Sequence, residues 1–83
     1  MHKIFWKDSV VRDIKNIDRK MQDIIKKAVE EEISKDHKIG KVLKGNFKGC
    51  FSHRIGDYRV IYTVISQGIL VLRVGHRKEV YRE

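Results

Sequence analysis

The chain has 83 residues, 41% of them hydrophobic and 36% charged, with a net charge of +8. That is enough for the core of one small domain over residues 1–83. It includes no apolar run long enough to span a bilayer and no secretory signal around Met1-His2-Lys3-Ile4-Phe5-Trp6. A lone cysteine, Cys50, excludes an internal disulfide, so packing alone must hold the fold and a reducing cytoplasm is the expected setting.

His2 to Trp6 reads as a short strand with Ile4 and Trp6 on one face. Asp8-Ser9 offers a helix cap, and Val10, Val11, Ile14 and Ile17 follow at helical spacing. Asp18 caps a second helix carrying Met21, Ile24, Ile25, Ala28, Val29 and Ile33 as an apolar stripe suited to packing on a sheet. Residues 35–50, "KDHKIGKVLKGNFKGC", hold three glycines and five lysines without a sustained period and read as a connecting loop. From Phe51 the pattern turns to strands, "FSHRI", "YRVIYTVIS" and "ILVLRVG", separated by Gly56-Asp57 and Ser66-Gln67-Gly68. The order βααβββ predicts an α+β domain: an antiparallel sheet with a two-helix hairpin on one face.

Charge is distributed unevenly along this order. Residues 1–36 hold nine Lys/Arg against eight Asp/Glu, and residues 37–83 hold ten against three. Concentration of the excess in the strand-forming half points to a polyanion-binding face, and nucleic acid fits better than a membrane because no amphipathic cationic helix is present.

Register sharpens this. A two-residue Gly56-Asp57 turn sets Ile55 opposite Tyr58 and Arg54 opposite Arg59. A three-residue Ser66-Gln67-Gly68 loop, with Gly68 in the left-handed position, sets Leu70, Leu72 and Val74 opposite Val64, Tyr62 and Val60. Arg54, Arg59, Arg73 and Arg77 then share the sheet face opposite the helices. Like charges facing each other across strands oppose folding, so either the face is simply solvated or it grips phosphate, for which guanidinium is the better group.

The layout, with "LKG" at Leu43–Gly45, "GDYRVIY" at Gly56–Tyr62 and "VGHRKEVY" at Val74–Tyr81, resembles the RelE/ParE superfamily of toxins from type II toxin–antitoxin modules. The RelE branch implies a ribosome-dependent endoribonuclease: the ribose 2′-hydroxyl attacks the adjacent phosphate of mRNA in the ribosomal A site and expels the 5′-oxygen, with no metal and no cofactor. By resemblance, Arg59 contacts the scissile phosphate, Arg77 stabilises it and protonates the leaving group, and Tyr81 stacks on or orients the substrate. Arg54 and Ser52 stand where the best-known member has lysines, so Arg54 is expected to hold phosphate rather than take a proton. His76 is the candidate replacement acid or base, with a structural role equally open. Lys41, Lys44, Lys48 and Arg73 are expected to bind ribosomal RNA. The resemblance also implies a cognate antitoxin as partner, with promoter DNA bound only through the antitoxin complex. Two alternatives stay open: a ParE-like toxin that poisons gyrase without cutting RNA, and a weakened toxin that retains antitoxin binding alone.

Overall fold

The computed structural model describes residues 2–80. Its elements run β1 (Ile4–Trp6), α1 (Asp8–Ile14), α2 (Arg19–Ala28), β2 (Lys41–Val42), β3 (Cys50–Ile55), β4 (Tyr58–Ile65) and β5 (Gly68–His76). The strands form one five-stranded sheet in the order β1-β5-β4-β3-β2. The α+β architecture is therefore the expected one, with two refinements. Strand β1 joins the edge parallel to β5, while the other pairs are antiparallel. The lysine-rich connection is also more structured than its composition suggests, with 3-10 turns at His37–Ile39 and Gly45–Phe47 flanking the two-residue β2.

Helix α2 begins as its sequence predicts, with Asp18 accepting a hydrogen bond from the Met21 amide at 3.2 Å. Helix α1 starts one residue earlier than expected: Lys7 holds the cap position without a side-chain bond, and Asp8 lies in the first turn, where its charge favours the helix dipole. Ile25, Val29 and Ile33 are fully buried beneath the sheet, against Val60, Tyr62, Ile69 and Val71. Val11 and Ile24, counted into the apolar stripes by spacing, instead remain 43% exposed. The stripe that faces the sheet is narrower than the spacing allows. After Ala28 the helix widens into a π turn, Val29–Ile33, closed by the Ser34 amide on the Val29 carbonyl at 3.0 Å.

The first hairpin has the expected register, with Ile55 opposite Tyr58 and Arg54 opposite Arg59. The second requires a correction. Its turn is the two-residue Ser66-Gln67, which sets Ile65 opposite Gly68, Val64 opposite Ile69 and Tyr62 opposite Val71. Continued without interruption, that register would turn Arg73 into the core beside Val60. A bulge at Leu72 absorbs one residue, so Ile61 faces Arg73 and Val60 faces Val74. The inward residues of β5 are thus Ile69, Val71 and Val74, not Leu70 and Leu72. Gly68 also has a different reason from the one expected. Its φ is +152°, and a Cβ there would run into the Lys3 carbonyl, which accepts a 2.8 Å hydrogen bond from the Ile69 amide. Glycine is required because the backbone of Lys3, entering β1, passes directly over it.

Candidate functional site

Directly paired residues of a sheet project from the same face, so the register assigns the outer surface without further assumption. One cross-strand row reads Lys41, Ser52, Ile61, Arg73, and the next reads Arg54, Arg59, Gly75. With strands about 4.8 Å apart, these two rows bring three arginines and a lysine onto one patch of the outer face. The short β2 brings Lys41 to that patch, and two residues are too few to show a strand period in the sequence.

The two facing arginines are turned apart by their own hydrogen bonds. Arg54, exposed, bends along its own hairpin and donates from Nε to the Gly56 carbonyl at 2.9 Å. Arg59, half-buried, turns the other way and donates from Nη1 to Ser52 Oγ at 3.2 Å. Ser52 is only 2% exposed, and its small side chain gives Arg59 both room and an acceptor. Both bonds are to neutral oxygens, so each guanidinium keeps its full positive charge for an anion.

Two segments border the patch. At one end the loop over residues 44–49 lies on the outer face, tied by Thr63 Oγ1 donating to the Gly49 carbonyl at 2.9 Å. Lys44 and Lys48 flank its 3-10 turn, both exposed. Phe47 from this turn places its ring 5.2 Å from the Arg73 guanidinium carbon. At the other end the chain turns back after His76, with the Glu79 and Val80 amides donating to the His76 carbonyl at 2.8 and 3.0 Å. Val80 is 5% exposed and packs over Gly75, where a Cβ would sit 3.7 Å from the valine. The Arg77 amide donates to the Asp57 carbonyl at 2.9 Å, holding this segment against the β3–β4 turn beside Arg54 and Arg59. Tyr81 lies outside the described residues.

His76 does not join the arginines. The register sets it opposite Tyr58 on the helix-facing side; the two rings make an edge contact at 5.8 Å. Its Nδ1 accepts from the Lys78 amide at 3.2 Å, and the ring lines a groove with Lys7, Asp13 and Glu79. His53 also faces the helices, 3.5 Å from Glu32. Burial pushes the Cys50 thiol up, away from the thiolate that a nucleophile needs.

Sequence reasoning missed four contributors here: Ser52 as the anchor of Arg59, Phe47 against Arg73, Val80 as a cover, and Tyr62 as an organiser of the loop. The Tyr62 hydroxyl donates to the His37 carbonyl at 2.6 Å and accepts from the Gly40 amide at 3.1 Å, fixing the turn that delivers β2. Burial raises its ionisation above the ordinary tyrosine range; the Gly40 amide opposes this and Asp36 reinforces it. An isolated apolar residue inside a charged tail was the one available signal for Val80.

Among the described residues no three His, Cys, Asp or Glu side chains come together as metal ligands, and no helix is long and apolar enough to cross a membrane. Comparison with known proteins agrees with this architecture. Toxin RelG of Mycobacterium tuberculosis is 38% identical over 47 residues, an alignment spanning 54% of this chain and 54% of that toxin. The fold matches the toxin–antitoxin complex RelBE2 of Mycobacterium tuberculosis at a TM-score of 0.84 and 24% identity, over 92% of this chain and 98% of that one. It also matches the intact RelBE toxin–antitoxin complex of E. coli at a TM-score of 0.75 and 16% identity, over 92% and 96%. The family model for the ParE toxin of the parDE type II toxin–antitoxin system matches residues 4–81. The chain therefore belongs to the ParE toxin family, within the RelE/ParE superfamily of type II toxins.

Proposed function

We propose that the chain is a ribosome-dependent endoribonuclease that cuts mRNA in the ribosomal A site and so stops translation. The observation that carries this is the cross-strand row that sets Arg54 and Arg59 side by side, next to the turn that holds the Arg77 backbone. In the cleavage step the 2′-hydroxyl oxygen bonds to phosphorus and releases its proton to solvent. The bond from phosphorus to the 5′-oxygen breaks, and that oxygen picks up a proton, so that a 2′,3′-cyclic phosphate and a 5′-hydroxyl result. Negative charge builds on the non-bridging oxygens and the leaving 5′-oxygen. Arg59, braced by Ser52, meets the phosphate, Arg54 adds a second guanidinium, and Arg77 serves the leaving oxygen. Tyr81 is assigned the substrate base or ribose. Arginine does not readily take a proton at neutral pH, and His76 faces away, so neither Arg54 nor His76 is assigned as base. Lys41, Lys44 and Lys48 surround the patch and are assigned to ribosomal RNA. The patch also suits an acidic, amphipathic segment of a cognate antitoxin, and promoter DNA is reached only through that partner.

One observation favours a second reading: the matching family model is that of ParE, the branch for which the resemblance implies gyrase poisoning without RNA cleavage. A coupled translation extract and a gyrase supercoiling assay, each supplied with purified toxin, separate the two. Cleavage within codons at the A site, with naked RNA left intact, supports the ribonuclease. Intact mRNA with blocked supercoiling overturns it in favour of gyrase.

A further inference from the structure

Arg73 stands out on the outer face because its guanidinium is engaged by segments outside the strands, whereas Arg54 and Arg59 bond within their own hairpin. Its Nη1 donates to the Val80 carbonyl at 3.1 Å, while the Phe47 ring lies 5.2 Å from its Cζ. These two partners belong to separate segments, the loop between β2 and β3 and the stretch following β5. Neither segment contributes a strand where they meet. Both segments bear residues assigned above to RNA: Lys44 and Lys48 on one, Arg77 on the other.

We propose that Arg73 is a positioning residue: with Phe47 it clamps residues 77–80 onto the outer face and thereby fixes Arg77 beside Arg54 and Arg59. The segment carrying Arg77 is then held at both ends, by its own amide on Asp57 and by the Val80 carbonyl on Arg73. Between those points, Val80, 5% exposed, rests over Gly75 at van der Waals distance from the position of a Cβ there. Arginine suits this position because one planar group stacks on an aromatic ring while an N–H in its plane meets a carbonyl. Lysine has the charge without that geometry. The row Lys41-Ser52-Ile61-Arg73 thus divides its labour. Lys41 faces outward to a ligand, and Arg73 holds the frame.

The catalytic half of this proposal rests on the ribonuclease reading, but the clamp is measurable without it. Amide hydrogen exchange of the purified toxin is followed at Glu79 and Val80 in the wild type, Arg73→Met, Arg73→Lys and Phe47→Leu, with β4 amides as the folding control. In both Arg73 variants, exchange at Glu79 and Val80 accelerates about tenfold, the scale of a lost charged hydrogen bond, while β4 is unchanged. Phe47→Leu gives a smaller acceleration at the same two amides. Unchanged exchange at Glu79 and Val80 in Arg73→Met overturns the clamp. In ribosome-dependent cleavage, the clamp predicts a slower single-turnover rate for both Arg73 variants, with apparent affinity and its salt dependence kept. A salt slope lowered by about 0.7 in Arg73→Met and restored in Arg73→Lys marks Arg73 as a phosphate contact instead and also overturns it. Absence of cleavage even by the wild type removes the ribonuclease reading while leaving the exchange result to decide the clamp.

Discussion

The two faces of this sheet are built on opposite principles. On the helix side, Val60, Tyr62, Ile69 and Val71 are fully buried against Ile25, Val29 and Ile33, and the one polar group among them, the Tyr62 hydroxyl, has both a donor and an acceptor partner. On the outer side, Arg54 faces Arg59 across a strand pair, and Ser52 and Ile61 are buried beneath side chains and loops rather than beneath a second layer. The first face gains stability from removing apolar surface from water, and the second gives some of it up to keep like charges together. The arginine arrangement opposes folding, and the anionic ligand proposed for this face would offset that cost when bound.

Substitutions that exchange the roles of the faces test this division. The largest effect belongs to the inner face: Ile25→Ala removes a fully buried side chain and should cost about 2–5 kcal/mol in urea unfolding. Loss of cleavage in that variant should follow loss of fold. On the outer face, Arg59→Ala should lower the cleavage rate about 100- to 1,000-fold with little change in the unfolding midpoint. An Arg59→Ala protein that cuts normally would remove this face from the chemistry. Tyr62→Phe deletes two hydrogen bonds and should destabilise by about 1–3 kcal/mol near neutrality. Because folding raises the Tyr62 ionisation, that hydroxyl's contribution is fully present below about pH 10. It is lost as pH rises further, since the unfolded chain ionises first. The gap between wild type and Tyr62→Phe should therefore narrow in alkaline urea titrations, and a constant gap would deny the burial effect. The smallest and most discriminating change is Arg54→Gln. Relief of the cross-strand repulsion should leave stability equal or higher by up to about 1 kcal/mol while cleavage falls. Destabilisation by Arg54→Gln would mean that the pair is structural.

Much of this was legible in the sequence where one face had to be apolar. Alternation from Phe51 to Tyr62 and the Gly56-Asp57 turn determine the first hairpin, and with it the Arg54–Arg59 pair. The second hairpin was half legible. The requirement to keep Arg73 out of the core correctly sets Val60 opposite Val74, but no alternation rule anticipates a bulge that changes register at Leu72. Gly68 was noticed for the wrong reason, because its constraint comes from Lys3, which is remote in sequence. His76 was left open between chemistry and a structural role, and its pairing with Tyr58 places it on the helix-facing side. Lys41, Phe47 and Val80 reach the outer face through turns and a two-residue strand, elements too short to leave a period.

The parallel edge strand has a consequence for how the molecule is made. Both arginine-bearing hairpins join stretches that are close in sequence, but β1 pairs Ile4 with Ile69, closing a loop of more than sixty residues. The entropic cost of such closure grows only with the logarithm of loop length, so it delays the sheet more than it weakens it. During synthesis, β1 must wait without a partner until residues 69–71 have emerged and are free to pair. A toxin assembled in this order closes the β1 edge of its sheet only after β5 has been made.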